Sequence, residues 1–389
     1  MRSTHNSTKQ ESRVPELDGV RGIAIWLVLL LHILYGFANA PKYWLSNSPG
    51  AFDSVPLLFL FVLRHGWLGV QLFFVLSGFL ITGVLLGSKG RPHYFRNFYM
   101  RRVLRIMPLY FAAVIVWSIL YRGYGSYFLL SSVFGANMAI PLGISRPHGP
   151  EVLWSLAVEE HFYLLWPLTV FLLKRRTLVI VLSLIFLASP FLRWICMLHG
   201  VEQIFIYVGT WFQLDGLATG ALMAIWARSR FASKKSSVRI ACVLTALLAL
   251  LTIVGIPFQL LEPFTPFSVG FRNTQAYLMF AACFVLVVAY RGTTLTAALR
   301  WRFLQLSGAL SYCLYLVHLS VGDGYQYLVD RFNIPVWFYV GISGAVWVRA
   351  AVMVGGSFAI ALLSRKYLEE PFLSLKDRFT EATALAARA

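Results

Sequence analysis

Apolar positions in this chain do not alternate, and they do not repeat at three- to four-residue spacing. They form long runs, at about 20–38, 68–87, 106–121, 153–173, 177–195, 204–226, 238–257, 273–290, 303–322 and 336–364. A helix of roughly 20 such residues crosses the hydrocarbon of a bilayer, and one that is apolar on every side is not made for water. The runs predict ten transmembrane helices. The stretch 127–144 is also apolar but is interrupted by Gly, Asn and Pro, which predicts a re-entrant or interfacial piece. The connecting segments are too short for a separate soluble domain. The pattern predicts an all-α, polytopic membrane bundle over residues 14–372, with polar tails at 1–13 and 373–389.

Composition supports this. Hydrophobic residues make up 58% and charged residues only 13% of the chain, about half the roughly 25% charge of a soluble domain. A net charge of +18 would suggest nucleic acid if the basic residues formed one patch. Instead they sit between the apolar runs, so no nucleic-acid partner is expected. With the N-terminus inside, the inner segments hold 25 Lys and Arg and the outer segments hold 7. The excess keeps alternating along the whole chain, which predicts both termini on the cytoplasmic side. The first run is expected to serve as its own insertion signal, because no small-residue cleavage site follows a short apolar stretch. Cys196, Cys242, Cys283 and Cys313 form no CxxC pair and are expected to be small buried hydrophobes.

Charged groups at membrane depth are costly and are the first candidates for chemistry. In "LDGVRGIAIWLVLLLH" Arg21 and His32 are eleven residues apart. On a helix that places them within ~20° of each other and about 16 Å apart along the axis. Asp18, three residues before Arg21, lies on the same side and can pair with it. An imidazole suits work as a base or nucleophile near neutral pH. "FRNFYMRRVLRIMPLY" brings Arg102 and Arg105 one turn apart, with Arg96 and Arg101 beside them. This is either positive-inside anchoring or a fork for phosphates, which guanidinium geometry suits. Met107-Pro108 is expected in the first turn of the third span. "LWSLAVEEHFYLLWP" buries Glu159, Glu160 and His161, and two adjacent carboxylates there must face a cavity, a cation or a proton. Arg349 is a candidate partner for one of them. Asp215 lies among small residues, and His318 forms an H-x4-D string with Asp323 near the outer end of its span. No Walker loop, zinc-protease HExxH, serine-hydrolase elbow or dinucleotide fingerprint is present, so no metal site is expected.

In this order, "LDGVRGIAIWLVLLLH", "GVQLFFVLSGFLITGVLL", "FYMRRVLRIMPLYF", "LWSLAVEEHFYLLWPL", "SYCLYLVHL" and "YLEEPF" resemble the acyltransferase-3 family, the integral membrane acyltransferases of bacterial surface glycans. The resemblance covers about residues 14–372. It places the family's R-x10-H motif on Arg21 and His32, its R-x-x-R motif on Arg102 and Arg105, and its tryptophan-to-glutamate motif on Trp154 and Glu159, with Glu160 adjacent. It implies a multi-pass protein of the bacterial cytoplasmic membrane that uses acetyl-CoA or another acyl-CoA as co-substrate, holds no permanent cofactor, and acylates a carbohydrate hydroxyl. On that reading His32, Glu159 and Glu160 are catalytic, and Arg21, Arg101, Arg102 and Arg105 hold the acyl-CoA. Asp18, Trp154, Asp215 and His318 face the substrate. Some members carry a fused extracytoplasmic esterase-like domain; its absence here leads us to expect direct transfer. A proton-coupled transporter with intramembrane acids and bases is the competing class. Oligomeric state is left open.

Overall fold

A computed structural model describes residues 14–38, 65–260, 265–334 and 336–375. The described residues form helices and connecting turns, with no strand among them. We number the helices α1 (Pro15–Ala38), α2 (Leu68–Ser88), α3 (Tyr94–Leu120), α4 (Gly125–Ser132), α5 (Leu153–Leu172), α6 (Arg175–Leu198), α7 (Gln203–Val208), α8 (Leu214–Ala227), α9 (Lys234–Gly255), α10 (Pro266–Ala289), α11 (Arg302–Arg331), α12 (Val336–Ser364) and α13 (Glu370–Ser374).

Among the described residues, seven helical segments are long and apolar enough to cross a membrane. Three of the ten expected spans differ from that standard. Two of them, α1 and α5, are 24 and 20 residues long but hold Asp18, Arg21, Glu159 and Glu160. The third, expected at 204–226, is broken. α7 ends at Val208, a short turn covers Thr210–Phe212, and α8 then runs for only 14 residues. Such a helix is about 21 Å long, less than the hydrocarbon thickness. The interrupted stretch after α3 does not span either. It forms the eight-residue α4 and a tight turn at Ala136–Met138.

Helices α1, α2, α5, α8 and α11 are the centre of the bundle, and α9 lies at its rim with only Ser237, Ala241 and Gly255 buried. In the membrane the outer surface is as apolar as the inner one. Burial therefore does not separate the cysteines as expected. Cys313 is buried, but Cys242 and Cys283 are exposed on the outside of the bundle.

The pairing of α1 with α11 positions the site. The two run parallel, and glycines let their backbones touch. A Cβ on Gly22 would lie 2.2 Å from the Leu304 carbonyl oxygen, and one on Gly308 would lie 1.9 Å from that of Asp18. The Trp26 indole N–H donates to Ser307 Oγ at 3.1 Å, and its ring meets Phe303. The "DGVRG" of the first run is thus a packing surface as well as a charged one. α3 also differs from expectation. It begins at Tyr94, so Arg102 and Arg105 lie within the helix and Pro108 is in its interior, not its first turn.

Candidate active site

A cleft of about 820 Å³, open solvent included, lies between α1, α2, α3, α5 and α11. Its charged lining is Arg21, Arg102, Arg105, Glu159 and Glu160, three cations and two carboxylates. The three arginines come from two helices that are 81 residues apart between Arg21 and Arg102, and their charges act on one another. Arg21 Nη1 bonds Asp18 Oδ1 at 3.0 Å, so the acid braces a cation at the mouth. Arg102 stands over the Tyr163 ring at 5.5 Å and the Phe98 ring at 5.8 Å, contacts that favour a cation.

Glu159 is held at both oxygens. Ser77 Oγ donates to Oε1 at 2.7 Å and Tyr163 Oη donates to Oε2 at 2.9 Å. Two charge-assisted hydrogen bonds fix its direction. Glu160 lines the same cleft, and Arg102 faces both carboxylates. Arg349 does not reach them. Its guanidinium lies beside Gly322, farther along α11. His161 turns away and bonds Thr210 Oγ1 at 2.7 Å. Phe73, Phe74, Ser155 and Tyr315 complete part of the lining.

Farther along α1 and α11 lies a histidine pair. His318 Nε2 is 3.1 Å from His32 Nδ1, and His318 is fully buried. The hydrogen-bond inventory assigns the protons. His318 Nδ1 faces the carbonyls of Tyr315 at 2.8 Å and Leu314 at 3.1 Å, so it must carry the hydrogen. The Nε2 of that neutral ring is then an acceptor. His32 Nδ1 faces this acceptor and the Val28 carbonyl at 2.9 Å, so it too must carry a hydrogen. The remaining His32 nitrogen, Nε2, is the basic one. In serine-protease triads a buried aspartate fixes the tautomer in this way. An imidazole does so here without adding a charge at membrane depth, where ions are costly.

Other expected residues do not line the cleft. Asp215 is sealed in a bidentate pair with Arg193, at 2.8 and 3.1 Å. Arg193 also donates to the carbonyls of Gly270 and Phe212. Both side chains are essentially without exposure, so the pair bolts α6, α8 and α10 together and offers nothing to a substrate. Trp154 packs against Tyr207 and Phe74. Arg101 is adjacent in sequence to Arg102 but stays outside the cleft. Sequence reasoning missed Ser77, Tyr163 and the His32–His318 contact. Tyr163 was accessible, being one helical turn from Glu159. Ser77 and His318 come from other helices, and no spacing points to them.

A family model for the acyltransferase domain, Acyl_transf_3, matches residues 14–365. The chain is similar to YrhL of Bacillus subtilis, 28% identical over 82% of this chain and 50% of that protein. It is similar to the peptidoglycan O-acetyltransferase OatA of Listeria monocytogenes, 27% identical over 95% of this chain and 57% of that one. The O-acetyltransferase OatA of Staphylococcus aureus is 27% identical over 84% of this chain and 53% of its own length. The chain spans about half the length of the curated relatives it matches. No solved structure matches it. With the family-model match running from residue 14 to residue 365, the chain belongs to the acyltransferase-3 family.

Proposed function

We propose that this protein is an O-acyltransferase of the bacterial cytoplasmic membrane that moves an acyl group, in the first instance acetyl, from acyl-CoA to a carbohydrate hydroxyl. The observation that carries the reading is the shared frame of α1 and α11. Arg21 of α1 opens onto the arginine-lined cleft at one end, and the tautomerically defined His32, set by His318 of α11, lies about 16 Å farther along the same face of α1. On the charge pattern of the loops, the arginine end faces the cytoplasm. Arg21, Arg102 and Arg105 would take the phosphates of the donor, for which the guanidinium fork is suited. The pantetheine arm would follow the apolar lining past Phe73 and Phe74. The thioester carbon would then meet His32 Nε2, which serves as nucleophile or as base for the acceptor hydroxyl. Glu159, held by Ser77 and Tyr163, adds a charge that favours the Arg102 cation, and Glu160 faces the cleft beside it. The relatives' names make peptidoglycan the first acceptor to test.

The test uses the full chain in lipid nanodiscs with acetyl-CoA and muropeptides. Thiol release reports donor turnover and mass spectrometry reports acetylated product. His32→Ala is expected to abolish product, Arg102→Ala to raise the KM for acetyl-CoA, and Glu159→Ala to lower activity. Undiminished product from inserted His32→Ala protein would refute the mechanism.

A further inference from the structure

A second group of polar side chains lies at the end of the bundle opposite the arginines. His148 Nδ1 bonds Asp323 Oδ1 at 2.8 Å, and Tyr121 Oη donates to Asp323 Oδ2 at 3.1 Å. His148 comes from the turn before α5, Asp323 from α11 and Tyr121 from the end of α3. Three separate segments therefore converge on one carboxylate. The join is tight at Gly149. A Cβ there would lie 2.4 Å from Tyr121 Oη, 2.5 Å from Ser320 Oγ and 3.0 Å from Asp323 Oδ2, so a side chain at this position would push the polar groups apart. Arg349 stands against the neighbouring Gly322, and Glu151 follows in the same turn as His148. His148 is also within electrostatic reach of both His32 and His318.

We propose that this group is the acceptor subsite, where a neutral, polyhydroxylated sugar is held so that one hydroxyl points toward the histidine pair. The inference rests on the acyltransferase reading and says where its second substrate binds. Asp323 can accept only a hydrogen, so the bond to it fixes a proton on His148 Nδ1 and turns Nε2 outward, where it accepts from a sugar hydroxyl when the ring is neutral and donates to one when it is charged. The His148 side chain is 48% exposed and that of Asp323 23%, so the imidazole is presented to solvent while the carboxylate that orients it is shielded. The charges of this group are mixed, with Asp323 and Glu151 set against His148 and Arg349. That balance suits an uncharged ligand with many hydroxyls, whereas the arginine cleft suits an anionic one. Planar carboxylate and guanidinium groups match adjacent sugar hydroxyls two at a time.

The test is direct binding to full-length protein in nanodiscs, with muropeptides and chitotetraose as probes. Saturation-transfer NMR reads sugar binding, and acetyl-CoA protection against heat reads donor binding. His148→Ala and Asp323→Asn are expected to weaken sugar binding about tenfold, as for one lost hydrogen bond to a charged or oriented group, and to leave donor protection intact. His148→Gln, whose amide reaches the Nε2 position, is expected to recover most of the binding. In turnover, the acceptor KM is expected to rise with little change in kcat. Unchanged sugar binding in His148→Ala, equal loss of donor protection, or no binding of either probe to the wild-type protein would overturn the subsite. Sugar binding that needs His148 in a protein that never releases CoA would leave the subsite standing and sink the acyltransferase reading.

Discussion

Replacing His318 by leucine isolates the contribution of the histidine pair. Leucine fills a similar volume in a fully buried position, so the α1–α11 packing is expected to survive. His32 Nδ1–H would keep the Val28 carbonyl at 2.9 Å but lose the acceptor at 3.1 Å. In either chemical role His32 becomes cationic or acylated on Nε2, and Nδ1–H then donates from a charged ring. Hydrogen bonds from charged groups contribute roughly 1.5–3 kcal/mol, so kcat should fall roughly 10–150-fold. Arg21, Arg102 and Arg105 are untouched, so the KM for acetyl-CoA should hold. The assay is continuous thiol release from acetyl-CoA with muropeptides, on protein whose insertion and melting temperature match wild type. His318→Gln, whose side-chain carbonyl can accept from His32, should restore part of the rate. Wild-type kcat in His318→Leu would refute the tautomer argument. A selective rise in the KM for acetyl-CoA would place His318 with the donor instead.

Three further predictions follow from other contacts. Asp215→Ala leaves Arg193 buried without its counter-charge, a loss of about 3–5 kcal/mol, and should lower the melting temperature of the nanodisc-embedded protein without changing the acetyl-CoA KM of the folded fraction. Gly308→Val places a side chain on the Asp18 carbonyl, so folded, detergent-stable protein should be lost on size-exclusion chromatography while Gly87→Val, at an exposed position of α2 with open space around it, should be recovered at higher yield. The Asp323 hydrogen bond holds the His148 imidazole above its usual range, with Glu151 adding to the shift and burial and Arg349 opposing it. A raised pKa means that folding favours the charged ring, so the pair's stabilisation is full below about pH 6.5 and fades as pH rises through the folded value. The melting difference between wild type and Asp323→Asn should therefore be larger at pH 5.5 than at pH 8.5, and an equal difference at both would count against the ion pair.

The chain itself determined its class. Apolar runs long enough to cross a bilayer and an alternating basic excess specify a helical membrane bundle, because both signals depend only on residue type and order along one dimension. The arginine-to-histidine spacing in α1 was equally legible, since helix geometry converts eleven residues into a direction and a length. The tertiary structure decided what those groups touch. Asp215 and Glu159 look alike in sequence, as acids in apolar helices. One is closed off by Arg193 and the other opens into a cleft, because the partner arrives from a different helix in each case. His318 looked remote from the donor end, near the far end of its span. It meets His32 because glycines at 22 and 308 let α1 and α11 run parallel in contact. The broken span at 204–226 and the early start of α3 have the same origin. Hydropathy records which residues tolerate lipid, whereas the ends of helices are set by backbone hydrogen bonds and by the neighbours that cover them.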